Sequence, residues 1–274
     1  MRQGTVITVQ DGGQDLIRGL KRQVSVVTAI IFKDFKVRQR TSKFGIFYVL
    51  IEPMVYILAI SSIRFLFRST SVDGIHVLIW VPLGVSAYLI FKRSITKVTS
   101  AITGNEGLLD FPQVKPIDPV IAIFILEMAL TMVASCLALL IIWWFVDISP
   151  SFPRPLEAMG VIAVLLAGSF GVALLLAVYG TFYENIPRTM RFINRPMIFL
   201  SGVVFPVSSL PTNIREYLAW NPILQFIEHF RYYAAGIPMI PEADLGYACF
   251  VASVLLGLGV IAYYANRYRL VQSR

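Results

Sequence analysis

Cysteine and histidine are almost absent, with two of each in 274 residues. Cys136 and Cys249 both lie inside apolar runs with no CxxC or His-rich surroundings, so neither a disulfide framework nor a thiolate metal site is expected. His76 and His229 stand alone, which excludes an HExxH zinc helix, and neither a GxSxG elbow nor a paired-carboxylate loop occurs. The phosphate-binding pattern GxxxxGK[ST] is missing as well. The chain is therefore expected to be no enzyme and to hold no metal or cofactor of its own; any ATP and magnesium would sit on a separate chain. Charge is scarce too: 15% of the residues are charged, against about a quarter in a soluble domain. Residues 1–20 are polar without a hydrophobic signal region, so the first apolar run is expected to direct insertion.

What the sequence has instead is hydrophobic residues, 57% of the total, gathered in blocks near 20 residues long. A helix rising about 1.5 Å per residue needs about 20 such residues to cross a hydrocarbon core. The blocks run over 44–63, 74–91, 121–146, 159–182, 192–210 and 247–265. They predict an all-α integral membrane protein with about six transmembrane helices. Residues 1–43 would form a cytoplasmic tail, 44–265 the membrane domain and 266–274 a second cytoplasmic tail. The net charge of +8 would suit nucleic acid, but its distribution does not. Every Lys and Arg except Arg64, Arg68, Arg154, Arg215 and Arg231 falls on one side of a six-span topology. Basic residues are retained in the cytoplasm, so both termini are expected there and no nucleic-acid partner is implied. Trp80, Trp143, Trp144 and Trp220 then fall near the outer interface.

Before the first block, Leu16, Leu20, Val24, Val27 and Ile31 recur at helical spacing among Arg18, Lys21, Arg22 and Gln23, the pattern of an amphipathic helix lying along the inner membrane surface. In the fifth block Pro196, Gly202 and Pro206 predict a broken or re-entrant helix. Beyond it, Asn213 with Glu216 has capping-box spacing, and Asn221 followed by Pro222 starts a second helix ending at Gly236. Two short helices dipping into the outer leaflet would make a gate there, with Trp220, Asn221, Phe226, Phe230 and Arg231 its candidate residues.

The fourth and sixth blocks hold no Asp, Glu, Lys, Arg or His, and the others offer mainly Glu52 and Glu127, which is little machinery for an ion-coupled carrier. In the first block Phe44, Tyr48, Glu52 and Tyr56 are each four apart and share one helix face, a candidate substrate pathway. Arg64 and Arg68, against the positive-inside trend, are candidates for its outer end. Arg188, Arg191 and Arg195, with Arg38, Arg40 and Lys43, are candidates for admitting substrate or binding an anionic headgroup. The segment from Lys92 to Pro116 carries a helical run and then a Gly-rich, Pro-terminated break, Thr103-Gly-Asn-Glu-Gly-Leu-Leu-Asp-Phe-Pro112, which is either a short rigid element for a cleft on an ATPase or an inert connector.

The order of a basic run, Gly45, Glu52-Pro53, Gly107-Leu-Leu, Pro112-Gln-Val-Lys-Pro-Ile-Asp118, Asn221-Pro222 and Arg231 resembles the KpsM-type permeases of type-2 ABC exporters, across essentially the whole chain. The resemblance implies a homodimer bound to two ATP-binding subunits, exporting lipid-linked acidic capsular polysaccharide through a bacterial inner membrane. It also implies a periplasmic polysaccharide co-polymerase and an outer-membrane exporter. By the same resemblance the N-terminal helix and Thr96, Thr103, Asn105, Glu106, Leu108 and Leu109 would couple to the ATPase. Other cargoes remain open at this point: an O-antigen, a teichoic acid or a small drug.

Overall fold

The computed structural model describes residues 11–40, 45–67, 71–72, 74–146 and 152–272. Their order is α1 (Asp11–Arg40), α2 (Gly45–Phe67), a two-residue antiparallel ribbon of β1 (Ser71–Val72) and β2 (Ile75–His76), and α3 (Val77–Arg93). Then follow α4 (Ile117–Val146), α5 (Pro155–Phe182), α6 (Asn185–Leu200), α7 (Thr212–Ala219), α8 (Pro222–Ala235), α9 (Leu245–Asn266) and α10 (Arg269–Gln272). Among the described residues four helical stretches are long and apolar enough to cross a membrane: Val77–Val98, Ile117–Val146, Pro155–Phe182 and Leu245–Asn266. The sequence of α2, 23 residues, is of the same character.

Five of the six apolar blocks became helices over most of their length, and the boundaries moved for local reasons. α4 starts at Ile117, four residues before its block, because the Asp118 carboxylate accepts the Lys115 N–H at 2.8 Å and closes the first turn. α5 starts at Pro155, where the fixed φ of proline suits a first helical position. α3 is the least apolar of the four and also buried from Val77 to Ile90 on every face. Protein rather than lipid is its solvent. α9 is the opposite case, with Phe250, Leu258, Ile261 and Tyr264 exposed along it.

α5 and α9 meet backbone to backbone. A Cβ on Gly259 would lie 2.3 Å from the Gly171 carbonyl oxygen, one on Gly171 2.4 Å from Leu256 Cα, and one on Gly168 2.9 Å from Ala252 Cβ. Small residues permit this close approach, and in hydrocarbon such packing contacts, rather than water exclusion, hold helices together.

The fifth block is broken, as its sequence predicts, but at only one of the residues named for it. α6 passes through Pro196 unbroken and stops at Leu200; the break is at Gly202, whose φ of +61° only glycine adopts readily. The capping box at Asn213 is absent. α7 has Pro211 at its N-cap with no side-chain hydrogen bond, and Asn213 lies inside the helix. Asn221 does cap α8, accepting the Ile223 N–H at 3.0 Å, and Gly236 ends it at φ +68°.

Candidate functional site

At the end of the membrane body where α1 and α6 begin, charge is organised in two ways. The first is a string of ion pairs across four helices. Glu127, fully buried on α4, pairs with Arg93 Nη1 of α3 at 2.7 Å through one oxygen and with Arg38 Nη1 of α1 at 2.6 Å through the other. Arg93 also reaches Glu52 of α2 at 3.3 Å, and Arg38 Nε donates to Asp34 at 2.8 Å. Burial draws the Arg38 pKa down, but the charges of Glu127 and Asp34 outweigh it and hold the guanidinium above its ordinary range. The Arg38 side chain, 24% exposed, is thus engaged by two carboxylates of the chain itself.

The second is exposed. Arg188, Arg191 and Arg195 of α6 line one concavity of about 590 Å³ with Thr189 and Phe192. The Arg195 guanidinium stands 5.8 Å from the Phe192 ring centroid. These three predicted residues are brought together; Arg40 and Lys43 have side chains outside the described residues, as do Phe44, Tyr48 and Arg68. Of the remaining pathway candidates, the Glu52 side chain is 56% exposed, Tyr56 is half-buried with Lys92 Nζ 3.9 Å over its ring, and Arg64 is buried.

The segment after α3 folds as a short π-helix, Ser94–Val98, then a turn and a 3₁₀ helix, Thr103–Leu108. Thr96 donates to Lys92 O at 2.8 Å. Asn105 is buried, donating to Ala101 O at 2.9 Å and accepting Lys33 Nζ of α1 at 2.8 Å. Leu109 is buried and Leu108 packs beside Val27 and Ile30 of α1, while Thr103 is half-buried. Glu106 and Phe111 are left outward. α1 itself leans across α4: Gln23 donates to Asp118 at 3.2 Å near the middle of α1 and Arg38 meets Glu127 near its end.

At the opposite end Arg231 of α8 is 1% exposed. Its guanidinium donates to Trp80 O at 3.2 Å, Gly202 O at 2.9 Å and Val203 O at 3.2 Å, and lies 3.5 Å over the Trp80 ring centroid. Trp80 is therefore buried under a cation and not in an interfacial belt, a correction to the sequence expectation; Trp143, Trp144 and Trp220 are exposed. Gly84 leaves the space, since a Cβ there would sit 2.0 Å from Arg231 Nη2. Asn221 adds a second tie, donating to Leu200 O and Ser201 Oγ at 3.1 Å each. Phe226 is buried and Phe230 half-buried in the same packing.

Sequence reasoning missed Arg93, Gln225 and the pairing of Glu127. Gln225, 2% exposed, bridges Ala219 O at 2.7 Å, Glu242 O at 3.2 Å and the Asp244 N–H at 2.9 Å. For Glu127 the signal was present: a carboxylate amid an apolar run demands a cation, and Arg93 stood at the end of the neighbouring block.

Comparison with known proteins agrees with this architecture. The sequence profile of the family described as ABC-2 type transporter matches residues 25–234. The Polysialic acid transport protein KpsM of Escherichia coli is 24% identical over 255 residues, covering 93% of this chain and 98% of that protein. The Capsule polysaccharide export inner-membrane protein CtrC of Neisseria meningitidis serogroup A is 25% identical over 257 residues, 91% and 95% of the two chains. The corresponding inner-membrane protein BexB of Haemophilus influenzae is 20% identical over 246 residues, 89% and 92%. With more than half its length matched, the chain belongs to the ABC-2 type transporter family of membrane proteins.

Proposed function

We propose that this chain is the membrane permease of an ATP-driven exporter that moves a lipid-linked acidic capsular polysaccharide across a bacterial inner membrane. The observation that carries the reading is the similarity to KpsM and CtrC over more than nine-tenths of the chain. Six crossings, by α2, α3, α4, α5, α6 and α9, put both termini in the cytoplasm. α1 then works at the inner surface and the α7–α8 pair re-enters from outside as the gate. Two copies enclose the pathway, with the exposed edges of α2 and α6 facing each other. Two ATP-binding subunits engage the outward Glu106 and Phe111 and the adjoining part of α1, supplying the ATP chemistry for which this chain has no loop. A periplasmic co-polymerase and an outer-membrane exporter complete the route.

The concavity of Arg188, Arg191 and Arg195 supports an acidic substrate, since guanidinium forks take phosphate or carboxylate bidentately. Inverted inner-membrane vesicles containing the chain, its ATPase and the lipid-linked polymer test this. ATP should drive acidic polymer into the lumen, and replacing the three arginines with serine should slow it about tenfold or more. Equal transport of a neutral polymer, or of acidic polymer by the triple variant, would refute the assignment.

A further inference from the structure

Asp34 and Arg38 of α1, Glu127 of α4, Arg93 of α3 and Glu52 of α2 form one unbroken string, at 2.8, 2.6, 2.7 and 3.3 Å between successive members. Glu127 is 0% exposed and Arg93 4%. Charges inside spanning helices are expensive, and a buried ion pair is a poor way to add stability compared with apolar packing. α3 and α4 already pack through Leu89, Ile90 and Met128 around this place. The string also has two ends. One lies at Asp34 and Arg38, on the helix whose Lys33 holds Asn105 of the 94–111 segment. The other is Glu52, one turn from Tyr56 on the open face of α2.

We propose that Arg93 and Glu127 are positioning residues that fix the Glu52–Tyr56 face of α2 against α1 and carry displacement of α1 into the pathway. The inference rests on the reading that an ATP-binding partner acts on the α1 side. Each of the two residues bridges. Arg93 spends one Nη on each carboxylate, and Glu127 one oxygen on each arginine, so neither neighbour moves without pulling the other. The longest contact, Arg93 to Glu52, is the place where the string gives, between α3 and α2.

Charge rearrangement tests this in vesicles with the ATPase, reading assembled protein, ATP hydrolysis and polymer export separately. Arg93→Gln with Glu127→Gln removes the charges of the central pair together, so assembly and ATP hydrolysis should stay near wild type. Export per ATP should fall about tenfold. Exchanging the pair, Arg93→Glu with Glu127→Arg, restores the α3–α4 bridge but sets like charges against each other at both outer contacts, carboxylate against Glu52 and guanidinium against Arg38. It should assemble and still export poorly. Wild-type export per ATP in either double variant overturns the proposal, because the pair would then be only a brace. Parallel loss of hydrolysis and export also overturns it. Failure of the wild type itself to export with ATP would instead sink the transport reading.

Discussion

Replacing Arg231 with methionine keeps the apolar stem of the side chain to about the Nε position and removes the guanidinium end, with its charge and donors. Two of the three accepting carbonyls, Gly202 and Val203, lie in the turn after α6, outside any helical ladder. Stranding them costs about 1–3 kcal/mol each, and the lost stack on Trp80 about 2 more. Against this stands the desolvation recovered when a guanidinium leaves a 1% exposed site, but buried Glu228, 3.6 Å from Arg231 Nη1, loses this cation, so the net destabilisation should be about 3–5 kcal/mol. Thermal unfolding of the purified protein should fall by about 10 °C for a chain of this size. The sharper test couples it to Gly84. Gly84→Ala in the wild-type background drives a Cβ to 2.0 Å from Arg231 Nη2 and should be about as damaging. In the Arg231→Met background the space is free, and alanine in place of glycine inside a helix should stabilise by about 1 kcal/mol. The sign of Gly84→Ala should therefore reverse between the two backgrounds. The same cost in both would refute the placement of the guanidinium against α3.

Other consequences are as direct. Gly259→Ala should destabilise strongly because its Cβ meets the Gly171 carbonyl, whereas Gly257→Ala, with open space around it, should be neutral or stabilising by about 1 kcal/mol; comparing their unfolding temperatures decides the matter. Asn221→Ala removes both the α8 cap and the ties to Leu200 and Ser201, and should cost about 1–2 kcal/mol, with Asn221→Asp intermediate because it keeps the cap alone. Glu106→Lys with Phe111→Ser alters only outward side chains, so the unfolding temperature should hold while co-purification of the ATP-binding subunit is lost; retained binding would move the contact elsewhere.

The spans were legible because a bilayer imposes a length, and runs of that length are visible in a single sequence. α8 was legible at both ends, since Asn221-Pro222 and Gly236 each satisfy or permit something local. The Asn213–Glu216 pattern was equally local and misled, because Pro211 takes the N-cap position and its carbonyl accepts the Ile214 and Arg215 N–H groups, which leaves Asn213 inside the helix. Tertiary pairing was where reading stopped. Arg93 and Glu127 are 34 positions apart, and Arg38 and Glu127 are 89 apart, so no periodicity links them. Arg38 consequently looked like one more member of a basic run. Trp80 was misplaced for a related reason: depth along a helix can be counted, but which neighbour covers a side chain cannot.

The glycine contact between α5 and α9 has a mechanical meaning. Where two helices touch through side chains, a change of rotamer lets one slide past the other; where the carbonyl of Gly171 faces the bare Cα of Gly259, there is no such bearing. The two helices travel as a plank. α5 and α9 therefore form the tightest helix pair of the described residues, whereas α2 and α6 keep open apolar edges at Val55, Leu66, Phe192 and Phe199.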